Sequence, residues 1–301
     1  MIVWAFSIIS VLIILLIAIS WYRKKRLSLF SKVAILIVLA VAAVFADAYW
    51  IEPNWLQTEQ VVISDPELAQ VMEGIRVVQI SDIHLQGGIG YREKDLIAQV
   101  NALKPDLLFI TGDFFSDKQK WELDDEIKAL TELIRSFKTT TGIYGVAGNY
   151  DRPLYKPEIV QKFRTAGIDI IANQSRMVAL PNNKILHLAG FDDSQNKRAN
   201  RFAFREIPPG VPVILLAHDP ENFREAIAAG VNLLLVGHTH GGQIAIPYLI
   251  NRSKSANKSS FMSGLFDTGK TKMYVNRGIG TTRVPVRFLN RPEITVFEFR
   301  P

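Results

Sequence analysis

The stretch Arg76-Val77-Val78-Gln79-Ile80-Ser81-Asp82-Ile83-His84 joins an apolar run of strand length to a D-x-H triplet. The same grammar recurs downstream. Leu107–Thr111 leads into Gly112-Asp113, Ile143–Ala147 into Gly148-Asn149, Val213–Ala217 into His218, and Leu233–Val236 into Gly237-His238-Thr239-His240. Four of the chain's five histidines therefore follow β-type runs, and polar groups at strand ends are where open α/β sheets bind ligands. The fifth, His187, stands in Ile185-Leu186-His187-Leu188 without ligand-like neighbours and reads as structural.

Working outward, further strand-like runs fall at Val178–Ala189, a hairpin around Pro181-Asn182-Asn183, and at Met273–Val275 and Ile294–Phe299. Helical periodicity appears between them. Tyr91–Leu103 aligns Leu96, Val100 and Leu103, Glu122–Phe137 aligns Ile127, Leu130, Leu133 and Ile134, and Pro157–Ala166 and Glu221–Ala229 are shorter. Alternating strands and helices predict a layered α/β domain, and strands apolar at nearly every position predict sheets covered on both faces. Residues 51–75, with the break Ser64-Asp65-Pro66, read as a polar connector, giving a domain over 76–301.

The first fifty residues differ in character. Ile2 to Ser20 carries no charge and is about one bilayer crossing long. Val33 to Tyr49 is again apolar, with Trp50 placed as an interfacial anchor, so residues 1–50 read as a transmembrane hairpin. A signal peptide would carry its positive charge ahead of the apolar run; here it follows. The connecting loop holds Arg23, Lys24, Lys25, Arg26 and Lys32, which by the positive-inside tendency belongs in the cytoplasm and sends the domain to the other side. The net charge of +6 is thus partly an N-terminal matter, and no basic stripe with interleaved aromatics argues for a nucleic-acid partner. The absence of cysteine excludes disulfides and thiolate ligands together. One low-complexity basic stretch, Asn251–Ser260, sits within an insertion running from Ile244 to Lys270.

Nitrogen and oxygen donors in this number suit two divalent ions, with Mn the first choice and Fe or Zn compatible. Asp113 is able to bridge them, and Asn149 supplies a neutral carbonyl oxygen. D-x-H, G-D, G-N-x-D, a separate His and G-H-T-H in this order resemble the calcineurin-like metallophosphoesterases, from about Arg76 to Pro301. Gly237–Gln243 and Asn276-Arg277-Gly278-Ile279-Gly280-Thr281 resemble its bacterial membrane-associated branch, some of whose members or near relatives cleave the pyrophosphate of UDP-2,3-diacylglucosamine. The resemblance implies a four-layer α-β-β-α sandwich in a protein of the bacterial inner membrane. It further implies that Asp82, His84, Asp113 and His240 hold one metal, and Asp113, Asn149, His218 and His238 the other. Two such ions acidify water for attack on phosphorus near neutral pH.

Where the family usually has His after G-N, this chain has Tyr150. A phenol donates a hydrogen bond but is a weaker acid than imidazolium, so a leaving group that departs readily as an anion is the expected substrate feature. Asn149, Tyr150 and Asp151 form the candidate catalytic triplet, with Asp151 orienting a partner. Asn276, Arg277, Arg283 and Arg287 are candidate phosphate ligands. A phosphoester or pyrophosphate in a lipid-linked or envelope substrate, with the bilayer as partner, is the leading reading. A phosphodiesterase for soluble or cyclic nucleotides and a non-catalytic metal-bearing scaffold are the alternatives. A cytoplasmic placement also stays open, because the diacylglucosamine substrate lies on that side.

Overall fold

The computed structural model describes residue 22 and residues 28–116, 122–192, 203–246 and 261–301. The chain divides into two compact units, Met1–Ile51 and Glu52–Pro301. In the first, α1 (Leu29–Ala46) begins on Ser28, whose hydroxyl accepts from the Ser31 amide, and runs on through a wider turn at Asp47–Ile51. Together with the turn Glu52–Asn54 it makes a 26-residue span, long and apolar enough to cross a membrane. The second expected crossing, Val33–Tyr49, lies inside this span. The first, Ile2–Ser20, lies outside the described residues, as does Asn251–Ser260.

The second unit is built on two six-stranded sheets. Its strands are β1 (Gln57–Ser64), β2 (Val77–Ile80), β3 (Leu107–Ile110), β4 (Gly142–Gly145), β5 (Ile168–Ile170), β6 (Gln174–Ala179), β7 (Ile185–Gly190), β8 (Val213–Leu216), β9 (Leu233–Val236), β10 (Gly264–Asp267), β11 (Lys272–Val275) and β12 (Glu293–Arg300). One sheet has the order β1-β12-β2-β3-β4-β5 and the other β10-β11-β9-β8-β7-β6. Its helices are α2 (Pro66–Met72), α3 (Tyr91–Ala102), α4 (Leu123–Ser136), α5 (Pro157–Ala166) and α6 (Phe223–Ala229).

Alternation along the buried strands sorts side chains into three apolar layers. Val77, Leu107 and Phe109 of the first sheet meet Ile214, Leu216, Leu233 and Leu235 of the second. Their neighbours Val78, Leu108 and Ile110 turn outward onto Leu96 of α3, Leu130 of α4 and Phe163 of α5. On the far side, Val213, Leu215, Leu234 and Val236 pack with Phe223 and Ala226 of α6. Helices, sheet, sheet and helix therefore stack as the expected four-layer sandwich. In α4, Asp124, Asp125 and Glu126 open the helix and Arg135 closes it, matching the helix dipole at both ends.

Residues 51–75 form more than a connector. Gln57–Ser64 pairs in parallel with Glu293–Arg300 along its whole length, and α2 follows, with Pro66 at its first position and the Asp65 carboxylate accepting from Leu68 N at 2.9 Å. The alternating exposure of β1, polar on one face and anchored by buried Ile63, reflects an edge strand with one wet face. The parallel strands β2, β3 and β4, and β8, β9 and β11, all end toward the same rim, and there the polar residues gather.

Candidate metal centre

The loops that leave this rim after β2, β3 and β9 turn sharply. Asp82, His84, Asp113, His238 and His240 all adopt the left-handed backbone region, with φ of 50°, 43°, 55°, 71° and 52°. Non-glycine residues take such φ rarely, and a cluster of them marks a backbone held in place to aim side chains. The turn after β9 requires glycine for a second reason. A Cβ on Gly237 would lie 1.9 Å from Ser81 Oγ and 2.3 Å from Asp82 Oδ2, so the two sheets approach through the missing side chain. Behind them, buried Gln79 donates to Thr111 Oγ1 and to Val236 O, both at 3.0 Å, and ties β2 to β9.

Two groups converge: Asp82, His84 and His240, and Asp113, His218 and His238, with the donor atoms of each within 4.8 Å of one another. Asp113 Oδ2 joins them, 3.5 Å from His84 Nε2 and 3.2 Å from His218 Nε2, while Asp113 Oδ1 accepts from Tyr150 N at 2.9 Å. Asn149 Oδ1 is 3.2 Å from His218 Nε2, which is 3.1 Å from His238 Nδ1. His240 Nε2 lies 3.2 Å from His84 Nε2 and 3.4 Å from Asp82 Oδ1. All seven expected ligands thus meet in one place.

The donor set fits cations. His84 Nδ1 donates to Phe115 O at 2.9 Å and His218 Nδ1 to Thr111 O at 2.8 Å. In a neutral ring so engaged the other nitrogen carries a lone pair. His218 Nε2 faces Asn149 Oδ1 and Asp113 Oδ2, three atoms that can each offer a lone pair to a cation. Burial, reinforced by His84 and Arg287, holds the His240 imidazole well below its ordinary value, and burial with His218 lowers His238. Neutral imidazole is the form that binds metal. Burial pushes the Asp113 carboxyl up, but His218 and His84 outweigh it and hold the group below the ordinary carboxylate value.

Asp151 lies beneath. Its carboxylate accepts from Phe114 N at 2.8 Å, Phe115 N at 3.1 Å and Gly148 N at 2.8 Å, fastening the loop after β3 to the loop after β4. Burial, then the neighbouring Asp113, pushes Asp151 up to about 8 against these three donors. The Tyr150 ring meets His84 edge-on, 5.4 Å between centroids, at the partly open side of the centre where Asn149 and His238 are exposed.

The C-terminal candidates are placed differently. Arg287, expected to contact phosphate, is fully buried and gives its N–H groups to the carbonyls of Arg277, Gly278, Gly280 and Asn290, where burial lowers it to about 9. It folds the last loop instead of reaching for a ligand. Asn276 is also buried, donating to Thr295 Oγ1 and accepting from Gly278 N. Arg277 pairs with Glu59 at 2.9 Å and Glu293 at 2.8 Å. Arg283 is exposed in the same loop.

Two residues that local sequence does not single out support a ligand. Glu52 accepts from Leu289 N at 2.8 Å and from Asn290 N, and Asn290 Nδ2 donates to His240 O at 2.7 Å. They lie 238 positions apart, so no spacing announces the link.

Among relatives, an uncharacterised metallophosphoesterase of Bacillus subtilis, YkuE, is 30% identical over 84% of this chain and 88% of its own length. A zebrafish (Danio rerio) transmembrane protein with a metallophosphoesterase domain is 30% identical over 86% of this chain and 60% of its own. The UDP-2,3-diacylglucosamine pyrophosphatase LpxG of Chlamydia muridarum is 25% identical over 86% and 94%. The model of the calcineurin-like phosphoesterases matches residues 75–242, which takes in all seven converging ligand candidates. With the sandwich and the paired donor groups, this match establishes that the chain belongs to the calcineurin-like phosphoesterase family.

Proposed function

We propose that this metal-dependent phosphoesterase is a membrane-anchored hydrolase that cleaves a pyrophosphate or similarly activated phosphoester in a lipid-linked substrate. Asp82, His84, Asp113 and His240 would hold one divalent ion, and Asp113, Asn149, His218 and His238 a second. Mn is our first choice, because an oxygen- and nitrogen-rich set without sulfur suits it. When bound, such a pair supplies an acidified water and neutralises phosphoryl oxygens as charge builds.

The observation that carries the substrate class is Tyr150. Its ring stands beside His84 at the partly open side of the centre, at the position where the family usually carries a His. Tyr150 positions and donates, and a phosphate leaving group departs as an anion without needing a proton. LpxG, a relative by sequence, is named as a pyrophosphatase of UDP-2,3-diacylglucosamine, which agrees with this reading. The apolar span at Leu29–Asn54 supports anchoring, since tethering raises the effective concentration of a lipid substrate. The basic loop Arg23–Lys32 favours an extracytoplasmic domain.

The test is hydrolysis by the detergent-solubilised full chain with Mn²⁺, offered bis(nitrophenyl) phosphate and a UDP-linked diacylated sugar. Preference for the lipid would support the reading. Turnover of the small diester alone would overturn it in favour of a soluble-substrate phosphodiesterase. Asp113→Ala, which removes the atom shared by both groups, is expected to lower either activity by about three orders of magnitude. Its metal content, measured by plasma emission, should fall from two ions per chain to one or none.

A further inference from the structure

Five large apolar side chains are exposed close to the His240 loop: Trp55 at 52%, Ile244 at 44%, Ile246 at 37%, Val284 at 53% and Leu289 at 58%. They come from three chain segments that hydrogen bonds fasten into one surface. Ala245 N donates to Phe288 O at 2.8 Å and Phe288 N to Gln243 O at 2.9 Å. The Gln243 side chain spans to Val284 O at 3.0 Å and to Thr282 N at 2.6 Å. Glu52 holds Leu289 N, and the Arg291 guanidinium lies 3.3 Å over the Trp55 ring. Arg283 is exposed on the same loop.

Chain continuity says what meets this surface. Glu52, which grips Leu289, directly follows Ile51 at the end of the apolar helix, and Trp55 is the first residue past the 26-residue span. A chain advances at most about 3.5 Å per residue, so Trp55 stands within about 14 Å of Ile51 whatever the course of the backbone. Tryptophan and arginine stacked together, beside isolated aliphatic side chains, are the chemistry of the headgroup layer, where amphipathic groups keep an apolar body in lipid and a polar tip in water.

We propose that Trp55, Ile244, Ile246, Val284 and Leu289 form a docking face for the surface of the bilayer in which the helix is anchored. The inference rests on the membrane-anchored reading above and adds which side of the domain meets the lipid. Its consequence is positional. Asn290, next to Leu289, holds the carbonyl of His240, so the loop carrying a metal-ligand candidate lies directly behind the face. A lipid-borne phosphate then reaches the centre without leaving the membrane.

The chain contains no cysteine, so single cysteines can be introduced without removing native ones. Ile244→Cys, Val284→Cys and Leu289→Cys would each carry a nitrobenzoxadiazole label in the full chain. Met177→Cys and Ile185→Cys, exposed on the β6–β7 hairpin, serve as references, and Ile37→Cys within the helix reports on anchoring. The proteins are reconstituted in phosphatidylethanolamine–phosphatidylglycerol vesicles, with or without a lipid bearing a nitroxide high on its acyl chain. Quenching of about two-fold or more at 244, 284 and 289, with none at 177 and 185, is expected. Quenching at 37 alone would overturn the docking face while leaving the anchor intact. Absence of quenching at 37 as well would overturn both. Shielding at 284 and 289 that depends on protein density and not on the nitroxide would assign the face to a second copy, and the proposal would fail.

Discussion

Asp113 divides its carboxylate between two tasks: Oδ1 receives the Tyr150 amide and Oδ2 stands between the two histidine groups. Tyr150 is thereby placed by its own backbone, whatever its side chain does. The distinction makes its replacement informative, because Tyr150→His should restore a stronger acid without moving the loop. We expect kcat/KM for an alkyl phosphate to rise by about 10²-fold relative to a nitrophenyl phosphate, whose good leaving group needs no proton. Parallel kinetics on the two esters, with their pH profiles, would check it. An unchanged ratio would show that Tyr150 only packs.

At the scale of elements, the strands that deliver the site were the most legible. β2, β3, β8 and β9 are apolar at nearly every position because both their faces are covered, and each ends in a ligand candidate. β1 was read as part of a connector because its alternation is masked by Gln57, Glu59 and Gln60 on a partly wet edge, and its partner β12 lies more than 200 residues away. Ile63 is the member that commits it to the core. Ile63→Ala should therefore destabilise the domain by about 2–4 kcal/mol, where a linker residue would cost almost nothing. Denaturant melts of the full chain in detergent would read this. Arg287 was misjudged for a related reason: composition shows charge, but only the folded loop shows that it faces four carbonyls. The Glu52–Asn290–His240 link was equally hidden. Since Asn290 holds the backbone of a ligand candidate, Asn290→Ala should weaken Mn²⁺ binding by about 10-fold and leave kcat at saturating metal nearly unchanged. Isothermal titration beside metal-saturated kinetics separates the two effects.

For the molecule as a whole, the same imidazoles that would bind cations link folding to pH. His238 and His240 are both held below the ordinary value of 6.5, chiefly by burial. A base whose folded pKa is depressed binds fewer protons in the native state, so its contribution is fully present above 6.5 and is lost as pH falls toward the folded value. The Asp113 carboxyl, also depressed, acts in the same direction but at lower pH still. Divalent cations compete with protons for these atoms, and ligand binding adds about 4 kcal/mol to stability when free metal stands a thousand-fold above its Kd. Two consequences follow for thermal melts of the full chain in detergent. In chelator, loss of the His238 and His240 contributions should lower Tm as pH drops below 6.5, partly offset by Asp151, whose raised value acts in the opposite sense. With Mn²⁺, the melting temperature should rise markedly at pH 7.5, and that rise should be smaller at about pH 5, closer to the depressed folded values of His238 and His240. A metal-induced rise of equal size at both pH values would mean that the cations are held without these imidazoles, and the ligand assignment would have to be abandoned.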